Sequence, residues 1–404
     1  MKKSLLFLVL LLSLTTLNCK TKFNSTKTPV RYDKQFAVKD TGKVKFNDIS
    51  AKDLAAKMGT GWNLGNTFDA TGAAGLRAET SWGCPKVTKE MIHNLAASGI
   101  KTIRIPVSWS IHMQDGQFTI EPEWMKRVKQ VVDWSIEEGL YVVINSHHDN
   151  FFSPEASNNY GYYPNSANLN ISLMYIVNIW HQISTTFNNG YDEHLIFEGM
   201  NEPRLAGTEV EWSTKETSEV NKDGFKCLSA LNQAFVDTVR ASGGNNKKRI
   251  LIIPVLHAGA DSALSSLFEM PSDISQGKLM VSVHMYTPYS FAMEMPGERV
   301  FTEQHQKEIS GTFGKLYSKF VRNGIPVFVG EYGATNKGND EERIKWFKYY
   351  LTEATNYEFV ACVWDNHQFE ASKKEGERYG YYVREKGVWY SKDILKTILE
   401  STKK

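Results

Sequence analysis

The sequence has few cysteines, and none of them has the spacing that a disulfide framework or a metal cluster requires. Only four cysteines occur in 404 residues, and Cys19 lies in the N-terminal leader. The others, Cys84, Cys227 and Cys362, are an odd number and belong by pattern to a loop, a helix and a strand. Because no Cys-x-x-Cys pair is present, the sequence predicts neither a disulfide-stapled fold nor structural zinc.

An excess of charge of either sign is also lacking. The formal net charge is +2, which gives no reason to expect nucleic acid or a charged membrane surface as a partner. Hydrophobic residues make up 41% of the chain and charged residues 23%, which is typical of a soluble globular protein with a substantial core. We find no internal repeat, low-complexity tract or appended binding module, and we expect one large domain that is a monomer.

A long uninterrupted hydrophobic run is present only at the N-terminus. Residues Leu5 to Leu14 follow Lys2 and Lys3, and the run is too short to cross a bilayer comfortably. This pattern predicts that residues 1–19 are an export signal and do not belong to the fold.

The end of this leader leaves two alternatives open. Thr16-Leu-Asn-Cys19 resembles a bacterial lipoprotein cleavage box, but a leucine is usual at Thr16 and a small residue at Asn18. Lipidation of Cys19 and plain secretion are therefore equal alternatives, and we expect an exported protein that is secreted, periplasmic or lipid-anchored. Residues 20–45 are rich in Lys and Thr and predict a flexible tether, followed by the folded domain at 46–404.

From Asp48 onward, short apolar segments alternate with amphipathic helices. The predicted strands cover residues 59–66, 101–107, 140–145, 195–197, 249–254, 278–283, 325–330 and 358–364. The predicted helices cover residues 88–98, 123–138, 172–187, 223–240, 303–322, 341–355 and 392–401. Eight strands that alternate with helices predict a (β/α)₈ barrel, a TIM barrel in a single domain. The connection between strands five and six is irregular.

Two strands end in a glutamate, at Glu202 and at Glu331. Pro203 stops the first strand and Gly333 the second. Taken alone, either glutamate could be a hydrated loop start. Together they form the carboxylate pair that glycoside hydrolysis uses, in which one group protonates the leaving oxygen and the other attacks or activates water.

Other polar and aromatic residues recur at the same predicted strand ends, where barrel active sites lie. These candidate binding residues are Asn66, Asp69, Arg104, His147, His148, Asn201, His284, Tyr286 and Trp364.

Three of these residues also allow a structural interpretation. Arg104 could neutralise Glu198, which points inward by period-two alternation, and could position Glu331 as well. Trp364 could be barrel packing, although an indole at this edge suits a floor under a sugar. The His147-His148 pair could be a metal site. However, adjacent strand residues point to opposite faces and no metal-ligand spacing occurs, so we predict no metal and no cofactor.

The ordered motifs resemble glycoside hydrolase family five, within it the subfamily four endo-β-1,4-glucanases. They run from residue 50 to the C-terminus and comprise Gly61-Trp-Asn-Leu-Gly-Asn-Thr-Phe-Asp69, Glu79-Thr-Ser-Trp-Gly83, Arg104-Ile-Pro-Val-Ser-Trp109, His147-His148, Asn201-Glu202-Pro203, His284-Met-Tyr-Thr-Pro-Tyr289, Glu331-Tyr-Gly333 and Trp364-Asp365-Asn366.

This resemblance implies a retaining endoglucanase of the cellulase type that works by double displacement, with Glu331 as nucleophile and Glu202 as acid/base. The other candidates would line the scissile bond, with Asn66 and Asp69 on the glycone side. We expect the charge of Glu331 to raise the pKa of Glu202. We also expect the aromatic loop at 149–170 to wall the leaving-group side of an open cleft.

The substrate stays open at this point. Xyloglucan, mixed-linkage glucan (the lichenase substrate) and mannan are alternatives to cellulose within the same family. A non-hydrolytic surface glycan-binding lipoprotein would carry the same leader and aromatic cleft, but the presence of both glutamates and of Asn201 argues against it. The expected partner is a β-glucan polysaccharide or oligosaccharide.

Overall fold

The protein folds as a closed barrel of eight parallel strands in the order β1 to β8. The computed structural model describes residues 38–150, 160–369 and 377–403. The strands are β1 Thr60–Asn63, β2 Thr102–Ile105, β3 Tyr141–Ile144, β4 Leu195–Glu198, β5 Leu251–Pro254, β6 Leu279–His284, β7 Val327–Tyr332 and β8 Val360–Val363. All eight predicted strands are confirmed, and β8 pairs with β1 to close the sheet.

Helices surround the barrel, and the seven predicted ones are confirmed with end shifts of a few residues. The helices are α1 Ala51–Met58, α2 Lys89–Ala97, α3 Pro122–Glu137, α4 Leu169–Thr186, α5 Glu219–Ala241, α6 Ala260–Leu264, α7 Tyr289–Ala292, α8 Glu303–Lys319, α9 Asp340–Asn356 and α10 Lys392–Ser401. Side-chain caps fix several starts. The Thr88 hydroxyl accepts from the backbone N–H of Met91 at the start of α2.

Apolar side chains fill the N-terminal end of the barrel interior. Side chains that point inward, among them Val143, Ile196, Ile252 and Phe328, pack with Leu54 and Met58 of α1. Helix α1 therefore closes the N-terminal end of the barrel, and the opposite end stays free for polar groups.

The sequence did not predict α1, nor a short antiparallel hairpin after β8. The hairpin consists of β9 Tyr382–Val383 and β10 Val388–Trp389. The irregular connection between β5 and β6 is confirmed, since only a 3₁₀ turn at Leu256–Ala258 and the five-residue α6 stand there.

The start of the folded part also differs from the predicted boundary at residue 46. The carboxylate of Asp40 accepts from the backbone N–H groups of Asn188 and Gly190, and the N–H of Val44 donates to the carbonyl of Asn189. Residues 38–45 of the predicted tether thus lie against the barrel, while the leader, Cys19 and residues 20–37 lie outside the described residues. Among the described residues, no helix is long and apolar enough to cross a membrane.

Candidate active site

Arg104 is the centre of the polar cluster at the C-terminal mouth of the barrel. Its side chain is fully buried, and its Nε donates to Glu198 Oε2 at 2.7 Å. Its Nη1 donates to Glu331 Oε1 at 2.9 Å and its Nη2 to Asn201 Oδ1 at 2.7 Å. Both predicted partners of Arg104, Glu198 and Glu331, are therefore confirmed. One guanidinium holds groups from β4, β7 and the segment after β4.

Glu198 is the buried counter-charge below this cluster. Besides Arg104, its carboxylate accepts from Asn145 Nδ2 at 3.1 Å and from Ser282 Oγ at 2.7 Å. Because both oxygens of this buried carboxylate have donors, its charge is compensated within the protein. Glu198 therefore holds Arg104 in position, and it is not exposed at the mouth.

Glu331 lies between two fixed donors. Its Oε1 accepts from Arg104, and its Oε2 accepts from the hydroxyl of Tyr286 at 2.9 Å. Phe328 points inward, so simple alternation along β7 would turn Glu331 outward and Tyr332 inward. Instead, Tyr332 packs on Tyr350 of α9. The register of β7 shifts between Val329 and Tyr332, and this irregularity directs Glu331 to the mouth.

Glu202 stands beside Glu331 with one histidine between them. His284 Nδ1 is 2.8 Å from Glu202 Oε1 and 3.6 Å from Glu331 Oε2. One oxygen of each carboxylate lies within 4.8 Å of the other. The side chain of Glu202 is 19% exposed and that of Glu331 7%. The predicted facing pair is therefore present, at the short separation at which one carboxylate can attack the anomeric carbon directly.

The direction of the Glu202 pKa differs from our expectation. Burial raises the pKa of this carboxyl, but the hydrogen bond and charge of His284, with smaller contributions from Arg204 and His148, lower it below its ordinary value. Burial lowers the pKa of His284, whereas the neighbouring Glu331 and Glu202 raise it, and the net direction is upward. In the free protein the shared proton is thus favoured on His284.

The histidine pair was predicted on the wrong geometry. Strand β3 ends at Ile144, so strand alternation no longer applies at His147 and His148, and their rings lie 4.5 Å apart. Burial lowers the pKa of both imidazoles, which keeps them neutral as hydrogen-bonding groups. His147 is buried, whereas the His148 side chain is 38% exposed at the mouth.

Among the described residues, three groups of side chains have donor atoms near enough to hold an ion; two belong to this site, and the third, Asp192, Glu193 and His194, precedes β4. In Asp69, His147 and His148, as in Glu202, His284 and Glu331, these atoms lie within 4.8 Å of one another. In the group of Glu202, His284 and Glu331, both oxygens of Glu331 already accept hydrogen bonds from Arg104 and Tyr286. A cation bound there would be repelled by the positive charge of Arg104. The absence of a metal stays a prediction.

Asp69 does not reach the glycone side as predicted. It is fully buried, and its carboxylate accepts from the backbone N–H groups of Asn66 and Thr67 at 3.0 and 2.7 Å. Burial raises its pKa to about 7, and these two hydrogen bonds oppose the rise. Asp69 therefore shapes the loop after β1, where Asn66 is partly exposed with φ 56°. The Oδ2 atom of Asp69 lies 3.9 Å from His148 Nε2.

Trp364 extends β8 into the mouth but is mostly packed. It is 7% exposed, and its ring is parallel to that of His147 with centroids 5.8 Å apart. Gly65 allows this packing, because a Cβ there would come within 2.8 Å of the indole. Only the small exposed part of Trp364 can contact a ligand.

The predicted aromatic wall at 149–170 is not formed by Tyr162, and part of the loop lies outside the described residues. Tyr162 is fully buried, and Tyr160 packs edge-on against Phe118 in the core. The hydroxyl of Tyr163 donates to the carbonyl of Ala206. The predicted Phe151 and Phe152 lie outside the described residues.

Three residues outside the predicted set adjoin this site. The Asn63 side chain accepts from Arg104 Nη1 at 3.0 Å and donates to the carbonyl of Gly330 beside Glu331. Arg204 Nη1 lies 4.0 Å from Glu202 Oε2. The ring of Trp82 lies 5.5 Å from that of His148. Asn63 and Trp82 stand in two of the motifs quoted above, and Arg204 directly follows Pro203, so position beside a motif was the available signal.

Known proteins are similar to this chain in sequence and in fold. The family model described as cellulase (glycosyl hydrolase family 5) matches residues 65–370. Endoglucanase 1 of Ruminococcus albus is 43% identical over 354 residues, which are 86% of this chain and 80% of that protein.

Solved structures agree with this match. A mutant of a family 5 lichenase from Caldicellulosiruptor, in complex with cellotetraose, is 38% identical with a TM-score of 0.82, covering 90% of this chain and 98% of that one. A subfamily 4 broad-specificity endoglucanase from Ruminococcus champanellensis with bound cellotriose is 36% identical with a TM-score of 0.81, covering 88% and 100%. The barrel with two glutamates at the ends of β4 and β7 therefore belongs to glycosyl hydrolase family 5, the cellulase family.

Proposed function

We propose that this chain is a retaining endo-β-1,4-glucanase in which Glu331 is the nucleophile and Glu202 the acid/base. The observation that carries this proposal is the arrangement of the pair. Glu331 is held by Arg104 and Tyr286, while Glu202 lies within 4.8 Å and shares a hydrogen bond with a titratable histidine.

The first step follows from these positions. Glu331 attacks the anomeric carbon and forms an ester bond while the bond from that carbon to the glycosidic oxygen breaks. Glu202 gives a proton to this oxygen, so the leaving sugar departs as an alcohol. Because the free protein favours the proton on His284, transfer from His284 Nδ1 to Glu202, 2.8 Å away, supplies the acid form.

The second step reverses these roles. Glu202, now a carboxylate, takes a proton from water, and the oxygen of that water attacks the anomeric carbon and displaces Glu331. Two inversions restore the original β configuration. The Oδ1 of Asn201 accepts from Arg104, so the group that Asn201 can offer to the sugar 2-hydroxyl is its amide N–H.

Azide rescue tests the assignment of the two glutamates. Glu202→Ala should still form the intermediate on a dinitrophenyl cellobioside, because this leaving group needs no acid, and azide should release a β-glycosyl azide. In Glu331→Ala the space lies on the opposite face, so azide should give the α-azide. Exchanged configurations in the NMR spectra would exchange the two roles, and full activity of both variants on polymer would reject the site.

The preferred β-glucan is a narrower proposal. We infer activity on soluble β-1,4-linked and mixed-linkage glucans, which the lichenase and broad-specificity relatives support. A reducing-sugar assay on cellulose, lichenan, xyloglucan and mannan compares the alternatives. A protein that binds these glycans and hydrolyses none would be the non-hydrolytic binder.

Export is likewise a proposal, which rests on Lys2, Lys3 and the apolar run that follows them. Growth with an alkynyl fatty acid tests the anchor. Labelling that Cys19→Ser abolishes would establish lipidation, and unlabelled protein in the medium would establish secretion.

A further inference from the structure

His257 has a backbone conformation that residues other than glycine rarely adopt. It lies in the 3₁₀ turn after β5 with φ 41° and ψ 24°, and Ala258 follows with φ 49°. Among the described residues, these are the only two adjacent non-glycine residues with positive φ. Such a conformation costs free energy and persists only where the surrounding structure holds it, so the contacts of this turn indicate what it does.

The imidazole of His257 anchors the turn. Its Nε2 lies 2.9 Å from the hydroxyl of Ser262 and 3.3 Å from that of Thr214, and these two hydroxyls are 2.6 Å apart. The ring and Ser262 are both buried. Burial lowers the pKa of His257, whereas the charges of Asp261 and Glu202 oppose this lowering. A buried ring in a hydrogen-bonded network of this kind has little freedom to move.

The backbone N–H of His257 reaches the residue next to the proposed acid. It donates to the carbonyl of Pro203 at 2.8 Å. Because proline has no N–H, the backbone of Pro203 can be held through this carbonyl alone. On the other side of Glu202, the N–H of Asn201 donates to the carbonyl of Ser146 at 2.8 Å. The backbone at Glu202 is thus fixed by a hydrogen bond on each side, and the His257 turn supplies the one that follows it.

The carboxylate of Glu202 is held less firmly than that of Glu331. Its Oε1 lies 2.8 Å from His284 Nδ1, whereas Arg204 Nη1 is 4.0 Å from its Oε2, beyond hydrogen-bond distance. Glu331 has a donor on each oxygen. The position of Glu202 therefore depends more on its backbone, and a displacement of about 1 Å at a reacting group can cost about 10²-fold in rate.

We propose that His257 is a positioning residue for the acid/base. Its ring, anchored on Ser262 and Thr214, holds the left-handed turn in place. The N–H of that turn holds Pro203, so that Glu202 stays where it can give its proton to the leaving oxygen. This inference rests on the proposed function, because it depends on the acid/base role of Glu202.

The test compares two substrates that differ in their need for an acid. His257→Gly removes the ring but keeps the N–H, and glycine adopts positive φ without cost, so the variant should fold. On cellopentaose, whose leaving group needs a proton, kcat/KM should fall about tenfold, a fraction of the roughly 10²–10⁴-fold that a general acid contributes. On dinitrophenyl cellobioside, whose leaving group needs none, kcat/KM should change less than about twofold.

A second readout is kcat on dinitrophenyl cellobioside. Hydrolysis of the glycosyl-enzyme needs Glu202 as base, so a displaced Glu202 should let this intermediate accumulate. In His257→Gly, kcat and KM should therefore fall together about tenfold, and azide, which needs no base, should restore kcat. A loss of folded protein would instead lower kcat on both substrates by one factor and leave KM unchanged.

Further variants test the anchor itself. His257→Asn should recover part of the loss, because asparagine tolerates the left-handed region and keeps a polar side chain. Ser262→Ala removes one hydroxyl from the ring and should show the same pattern to a smaller extent. Glu358→Gly is the matched control, since Glu358 has φ 60° but precedes β8 at the end of the barrel opposite the mouth. It should leave the rate ratio of the two substrates unchanged.

The two proposals fail in different ways. If the wild-type protein releases no reducing sugar from any β-glucan, the proposed function fails. If the wild type is active but His257→Gly leaves both substrates unchanged, or lowers kcat/KM on both by the same factor, only the assignment of His257 is overturned. If His257→Gly does not fold, the same comparison with Ser262→Ala decides.

Discussion

Replacement of Arg104 by Met should separate stability from catalysis in this site. Arg104 is fully buried and donates to Glu198, Glu331, Asn63 and Asn201. Removing it leaves the buried Glu198 charge without its cation, and the loss of one partner from a buried ion pair destabilises a protein by about 3–5 kcal/mol.

This loss converts to a measurable shift in melting temperature. The entropy of unfolding is about 2.1 cal/mol/K per residue, or roughly 0.8 kcal/mol/K for a domain of this length. The expected decrease in Tm is therefore about 4–6 °C by calorimetry. Activity should fall about 10²-fold or more, because Glu331 loses one of its two fixed donors and its position against the anomeric carbon.

A second substitution distinguishes the two effects. In Arg104→Met/Glu198→Gln the buried charge is gone, while the amide can still bond to Ser282 or Asn145, so most of the Tm loss should be recovered. Activity should not recover, because Glu331 still lacks Arg104. A double-mutant cycle gives the coupling between the two positions.

The control is Arg240→Met, which breaks another buried arginine–carboxylate pair, with Asp273 at 2.7 Å, at the far end of α5. It should lower Tm and leave kcat unchanged. The two roles of Arg104 are refuted if Arg104→Met has the same Tm as the wild type, or if the double variant regains activity together with stability.

Three further outcomes are expected. Activity should survive prolonged dialysis against EDTA, and a loss that zinc or manganese restores would mean that the histidine pair binds a catalytic ion. In His284→Asn the group that holds the proton in the free protein is gone, so Glu202 alone must keep it; the site then loses this proton at lower pH than in the wild type, and the basic limb of the kcat/KM profile should move downward. Asp69→Ala removes the acceptor of two loop N–H groups, so KM should rise more than kcat falls, and an unchanged KM would deny that this loop faces the sugar.

The strand ends were predictable because short apolar runs followed by proline or glycine indicate where the strands of a barrel stop. Pro203 follows shortly after β4 and Gly333 directly after β7, and the carboxyl ends of all eight strands meet at one mouth. Arg104 and Glu198 were paired from alternation alone, because both lie inside regular strands where period two holds.

The errors fall where the backbone leaves that regularity. His147 and His148 lie beyond the end of β3, so their rings lie side by side, contrary to what alternation implies. Glu331 faces the mouth through a register shift in β7 that no residue pattern announces. Asp69 looked like a ligand group because it is a carboxylate after a strand, but two nearby backbone N–H groups take both of its oxygens.

The pKa of Glu202 was misjudged for a different reason, and that reason bears on how the two carboxylates divide their tasks. A neighbouring negative charge was visible in the sequence, whereas the hydrogen bond from His284 is a product of the fold. Glu331 is held by an arginine, which stays charged, and by a tyrosine whose pKa burial raises well above its ordinary value. Neither partner exchanges a proton near neutral pH. Glu202 is held by a histidine that does. The carboxylate with permanent donors suits a nucleophile that must remain a base of constant strength, and the one beside a titratable donor suits a group that must take up and release a proton in every cycle. We infer that this difference in partners, more than the distance between the two glutamates, assigns their roles.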